Sequence, residues 1–285
     1  MINYRLLSHD DLDSLYRCFL AAFSDYEVDM QMSREQFQQR ITRDGVSLEM
    51  SAAAFDAHQM IGFCMNGVGT WRGRTTAYDA GTGVVREYRG RGIGKELFAF
   101  VTPRLNGVEQ YLLEVLTTNT PAASLYRKLG FTDTRRLAVF RSSSETRTKT
   151  SADFDVRHIE NPDWQLYRSF WDGYPSWQNS AEAVDRTVGD RAIVAAYVND
   201  ECVGYGIVFA PAASLMQLAV SPAHRRKGIA STILAALETP HRLKINNIDE
   251  DLTAALAFYE ANGYKQVLGQ YEMVKTLRES HKPNK

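Results

Sequence analysis

Hydrophobic and polar positions change period several times along the chain, and each change marks an expected element. Alternation over residues 2–6 predicts a strand, and three-to-four-residue spacing of apolar positions over 9–23 predicts a helix with Asp10 and Asp11 in its first turn. A second helix is expected over 33–41, where Ser33 and Gln36 form a capping-box pair. Strands follow at 47–55, 59–68 and 75–84, separated by polar or glycine-containing turns. A helix then opens near Gly92, and after it come a strand at 111–115, a helix at 120–129 and a strand at 131–140. The remaining sequence repeats this order, with strands at 154–158, 192–198, 202–209, 215–220, 242–245 and 264–274.

The repetition extends to the residues themselves. VVREYRGRGIGKELFAFV at 84–101 has a counterpart in VSPAHRRKGIASTILAAL at 220–237, and ASLYRKLGF at 123–131 is echoed by LAFYEANGY at 256–264. Arg89 and Arg225 are 136 residues apart and Tyr126 and Tyr259 are 133 apart, so two landmarks recur in order at nearly equal spacing. Internal similarity of this kind indicates a duplicated domain. The first copy is expected over 1–143 and the second over 154–285, with the Ser/Thr-rich stretch 144–153 as a linker. Mixed, mostly antiparallel strands with intercalated helices point to an α+β fold in each copy.

Composition narrows the function. The 285 residues carry 33 Lys plus Arg against 34 Asp plus Glu, so the basic excess usual for nucleic-acid binding is missing. Cys18, Cys64 and Cys202 are far apart and odd in number, which offers neither a disulfide framework nor a CxxC pair. The six histidines lack metal-ligand spacing, and no metal is expected. Without an uncharged apolar stretch of ~18 residues, neither a leader nor a membrane span is expected, and a cytoplasmic protein is the reading that fits.

The chemistry centres on Arg89, Gly90, Arg91, Gly92, Ile93 and Gly94, between an expected strand and an expected helix. Unpaired N–H groups at a helix start, aligned with the macrodipole, can grip an anion, and glycines let the chain wrap around it. A dinucleotide fold would need an acid ~20 residues on, and a P-loop would need Gly-Lys-Ser/Thr; neither is present. Within otherwise apolar strands, Asp79 and Glu114 are the candidate bases, although a bulge could reverse the face on which Asp79 lies. Asp25, Glu27 and Asp29 form an acidic stretch that could attract an amine, and the run 164–180 holds three of the four tryptophans, read first as packing.

The string from Val84 to Gly94 resembles motif A of the GNAT superfamily of N-acetyltransferases, and Asn119, Ala122, Tyr126, Gly130 and Phe131 resemble its motif B. The second copy repeats motif A with Val220, Arg225, Lys227, Gly228 and Ala230. The resemblance implies tandem GNAT-like domains and acetyl-CoA as cofactor, its pyrophosphate on the 89–94 turn. It further implies main-chain contacts from Val84 and Val85 to the pantetheine arm, a pantetheine contact from Asn119, and Tyr126 as general acid. Acetyl transfer to an amine by direct attack in a ternary complex follows, in a monomer or homodimer acting on a small-molecule or peptide amine. The alternative is a non-catalytic CoA-binding regulatory or scaffold protein. In the second copy Leu252 stands where Asn119 does and the strand LMQLAV carries no acid, so CoA binding without efficient turnover is expected there, with catalysis in the first copy.

Overall fold

In a computed structural model of the chain, residues 1–142, 154–238 and 242–277 are described. The expected linker lies outside them. The fold is mixed α+β, as expected, and separates into two compact units.

The first unit begins with β1 (Ile2–Leu6), α1 (Leu12–Ala22) and α2 (Arg34–Asp44). Next come the antiparallel strands β2 (Val46–Asp56), β3 (Gln59–Trp71) and β4 (Arg74–Val84). Then follow α3 (Ile93–Val101), β5 (Gln110–Leu116), α4 (Thr120–Lys128) and the start of β6 (Thr132–Ser142). The helix expected over 9–23 starts with a 3-10 turn at His9–Asp11 instead. Asp11 explains it: its carboxylate accepts the Ser8 N–H and pairs with both terminal nitrogens of Arg5, which fixes the entry before the α-helix begins. The Ser33/Gln36 capping box forms as read from the sequence. On α1, Leu15, Cys18, Phe19 and Ala22 are buried, and on α3 so are Ile93, Leu97, Phe98 and Val101. These are the apolar faces that the helical periodicity supplies.

The second unit repeats the plan with β7 (Asp155–Ile159), α5 (Trp164–Arg168), α6 (Ala181–Asp185), β8 (Arg191–Val198), β9 (Glu201–Phe209) and β10 (Ser214–Val220). It continues with α7 (Ile229–Leu237), β11 (Lys244–Asp249), α8 (Thr253–Ala261) and most of β12 (Tyr264–Thr276). Alternation along β8 sends Val194 and Ala196 into a core with Ile229, Ile233 and Leu234 of α7, while Ile193 and Ala195 join a second core with Tyr167, Phe170 and Tyr205.

The terminal strand of each copy is divided between the units. β6 belongs to the first unit through Thr134 and to the second from Arg135; β12 belongs to the second through Tyr271 and to the first from Glu272. Within the first unit, Thr134 Oγ1 donates to the Glu272 carbonyl and the Leu277 N–H to that of Glu109. Within the second, β6 pairs antiparallel with β11 through Phe140 and Ile245. The boundary of the sequence repeat and the boundary of the compact units therefore differ by part of a strand in each direction.

Candidate functional site

Both units contain the same opening. β4 and β5 run parallel but pair only at Thr76–Tyr78 against Gln110–Leu112, and beyond this the two strands part. In the second unit β10 and β11 pair only through Ser214 and Leu215 with Lys244 and Ile245. Each strand also carries one extra residue opposite its antiparallel neighbour, Ala80 in β4 and Met216 in β10. Such a bulge breaks the ladder and twists the strand, so the strand end can leave its parallel partner.

The glycine turn lies at the end of the departing strand. Gly90 and Gly92 have φ of 75° and 79°, and a Cβ built at either would meet nothing within 4 Å. The turn is an open cradle, and the N–H groups of the first turn of α3, which begins at Ile93 with Gly92 as its cap, have no partners within the helix. The second unit reproduces it with Gly228 at φ 89° and Arg226 at φ 63°. For a side-chain residue this left-handed conformation costs ~1–2 kcal/mol, of which the greater freedom of unfolded glycine returns ~0.5–1 kcal/mol. Arg226→Gly is accordingly expected to stabilise the chain by roughly 1 kcal/mol, read from the urea midpoint at unchanged slope.

Arg89 is tied into the frame of the first unit. Its Nε donates to the Val84 carbonyl at 3.1 Å, and its terminal nitrogens reach both Asp25 oxygens at 2.7 and 2.8 Å and the Ala22 carbonyl at 2.7 Å. Arg225 does the same with the Val220 carbonyl at 3.0 Å, Asp172 at 2.7 Å and the Phe170 carbonyl at 3.0 Å. Both arginines tie the turn to the segment after the first helical region. Asp25 is engaged in this tether and is not a free attractor for amines; Asp29 accepts the Gln31 N–H. The Val85 N–H is likewise committed, to the Ile61 carbonyl at 3.0 Å, and strand alternation turns the Val84 N–H toward the open side. Arg91 lies exposed over the Tyr88 ring, and Gly94 is half-buried at the start of α3.

Asp79 immediately precedes the bulge. It is 7% exposed, and its carboxylate accepts the Gly81 N–H and the Thr82 hydroxyl, each at 3.0 Å. Burial outweighs these bonds and pushes its carboxyl up to about 7. Its charge is felt by Tyr126, Tyr111 and Cys64. Tyr126, 8% exposed, packs edge-on to Phe98 and Phe131, and burial first and then Asp79 hold its phenol well above the ordinary value, so it keeps its proton. Asn119 caps α4, its Oδ1 accepting the Ala122 N–H at 3.2 Å, and it also bonds Tyr26.

Glu114 belongs to a different group. It accepts the Tyr78 hydroxyl at 3.0 Å, and its charge acts on Arg40 and Arg43 of α2. The structure thus brings Asp79 and Tyr126 into one neighbourhood and puts Glu114 in another. Sequence reasoning missed Tyr26, Arg40, Asn66, Tyr78 and Tyr111. Each is joined to the site only through contacts distant in sequence, as in the Tyr111 hydroxyl donating to Asn66 Oδ1 at 2.5 Å.

In the second unit the opening is a cavity of about 690 Å³, lined by Leu218–Val220, the 225–231 turn, Leu252, Tyr259 and Trp171. Leu215 replaces Asp79, and the inner wall is neutral: Trp171 donates to Tyr205 at 2.6 Å, Tyr205 to Gln217 at 2.6 Å, and Gln217 to the Asn179 carbonyl at 2.7 Å. Of the tryptophans in the 164–180 run, Trp171 lines this cavity, Trp177 is buried and Trp164 bonds Asp185. Leu252 caps α8 without a side-chain bond, as expected of the Asn119 counterpart. Among the described residues no helix is long and apolar enough to cross a membrane.

Comparison with known proteins agrees with this geometry. No curated protein sequence matches the chain. A tandem GNAT protein from the clavulanic acid biosynthesis pathway superposes with a TM-score of 0.75 at 12% identity, over 98% of this chain and 100% of that one. A GCN5-related N-acetyltransferase from Sphaerobacter thermophilus gives 0.69 at 14% identity, over 98% and 96%. These likenesses are of fold. The sequence itself matches the acetyltransferase (GNAT) domain family twice, over residues 50–133 and 189–266. With both turns, both openings and more than half of the chain covered, the protein belongs to the GNAT acetyltransferase family.

Proposed function

We propose that the chain transfers an acetyl group from acetyl-CoA to an amine, that the first unit carries the reaction, and that amine and thioester are bound together when it occurs. Acetyl-CoA, the acyl donor of the family, supplies a thioester carbonyl that the amine nitrogen attacks, forming an amide as the C–S bond breaks. The cradle supports the fit: Gly90 and Gly92 leave open space where a Cβ would stand, and the Ile93 and Gly94 amides with the Val84 N–H offer donors to the diphosphate and the pantetheine arm.

The observation that carries the reading is the buried carboxyl of Asp79 beside Tyr126 at the opened end of β4. An alkylamine of pKa near 10.4 is only about one part in ~10³ neutral at pH 7, which adds roughly 4 kcal/mol to the barrier unless a base removes the proton. Asp79, with a carboxyl at about 7, is matched to that task. Tyr126, kept protonated by burial, holds a proton for the departing thiolate. Glu114, engaged by Tyr78, is the second candidate base.

The second unit keeps Tyr259, Lys227, Gly228, Ile229 and Ala230 but has no acid at the Asp79 position, which suits CoA binding without turnover. Calorimetry with acetyl-CoA is expected to give two sites per chain, and an amine panel followed by thiol release is expected to give turnover. Binding without turnover on any amine would favour the regulatory or scaffold reading; no binding heat would remove both.

A further inference from the structure

The bulge at Ala80 brings a hydroxyl to a carboxyl. Residues three apart in a regular strand face opposite sides of the sheet. With the extra residue between them, Asp79 stands opposite Asn66 and Thr82 opposite Cys64, and Asn66 and Cys64, two apart in β3, share a face. Asp79 and Thr82 meet on that face, where the Thr82 hydroxyl lies 3.0 Å from each carboxylate oxygen and the Gly81 N–H holds one of them. Thr82 is half-exposed, in the stretch of β4 beyond its last pair with β5, whereas Asp79 is buried.

The second unit shows that this contact is not what builds the bulge. β10 carries the same extra residue at Met216, with Leu215 and Leu218 in the places of Asp79 and Thr82. Two leucines flank a bulge of the same form, so hydroxyl and carboxyl are present together in one copy and absent together in the other. What the hydroxyl adds is a hold on the carboxyl: a donor shared by both oxygens fixes their plane and favours the ionised form, against the burial that opposes it. The other titratable groups acting on this face are Cys64 from β3, Tyr111 from β5 and Tyr126 from α4. Burial pushes the Cys64 thiol up to about 12 and holds both phenols well above their ordinary value, so Asp79 is the one that changes charge near neutral pH.

We propose that Thr82 is a positioning residue of the transfer reaction, its hydroxyl holding the Asp79 carboxylate in place to receive the proton of the amine. The assignment rests on Asp79 as the base, as proposed above, and adds the group through which that base is set. Thr82→Val keeps the shape of the side chain and removes the donor, which raises the Asp79 carboxyl further. The rising limb of kcat/KM against pH is expected to move up by about one pH unit or more, with the rate at pH 7 down roughly fivefold or more. Thr82→Ser should return the limb to its wild-type position, and Thr82→Ala takes the place of valine where that variant does not fold. A wild-type limb in both hydroxyl-free variants, with the limb abolished in Asp79→Asn, overturns the assignment and leaves Asp79 as the base. A limb that survives in Asp79→Asn, or turnover with no amine, makes the base reading fail on its own, and the hydroxyl is then tested through folding. Wild-type stability in urea should fall with pH and level off above about pH 7, because the raised carboxyl holds its proton only in the native state. In Thr82→Val the fall should continue to higher pH, which supports the hold on the carboxyl; levelling at the wild-type pH overturns it.

Discussion

Replacing Asp79 with asparagine is expected to lower kcat by ~10²–10⁴-fold, the usual range for loss of a positioned base, while making the folded protein more stable. Both effects come from one buried carboxyl. Its value rises from 3.8 to about 7 on folding, so between these limits the native state holds a proton that the unfolded chain has released. Stability therefore falls as pH rises through that window and levels off above it. Asparagine keeps acceptors and donors for Gly81 and Thr82 without the ionisation, and its stability advantage should grow by roughly 2–3 kcal/mol between pH 5 and pH 8. Urea unfolding at the two pH values measures this. In the wild type, kcat/KM should climb with unit slope below about pH 7 and then flatten, whereas the variant should lose the rising limb. A variant with wild-type activity would transfer the role of base to Glu114.

Tyr126→Phe is the second large effect. Its ring contacts with Phe98 and Phe131, at centroid distances of 5.6 and 5.9 Å, are kept by phenylalanine, so stability and acetyl-CoA affinity should change little. Without the phenol the thiolate must leave unprotonated, and kcat should fall by ~10²-fold near neutral pH. The defect should shrink above about pH 8.5, where a free thiolate is a competent leaving group. A loss independent of pH would point to a role in packing, and an unchanged kcat would show that water suffices as the acid.

The glycine turn was legible because left-handed backbone is written in residue type, and Gly90, Gly92 and Gly228 are where it is needed. The Ser33 cap was legible for the same local reasons, whereas the strand expected at 242–245 runs instead over Lys244–Asp249. Asp79 could be named from its apolar strand but its neighbours could not, since the bulge at Ala80 shifts the faces of β4 and no local pattern announces it. The Arg89 tether could not be read locally because its guanidinium answers to Asp25, 64 residues away in sequence, and nothing in the pattern of 33–41 announces that Arg40 reaches the Ala80 carbonyl. The short helices α5 and α6, of five residues each, fall below the length at which periodicity speaks. A repeat in sequence also cannot reveal that β6 and β12 each serve the neighbouring copy's unit.

That last arrangement bears on inheritance. A gene shortened to its first half would encode a unit lacking residues 272–277, so the bonds that Thr134 and Glu109 make there would be lost to an open sheet margin. The reciprocal fragment would lose the partner of β11. Loss of either duplicate would thus cost the other a strand segment, which gives the second copy a reason to persist even where its pocket performs no chemistry.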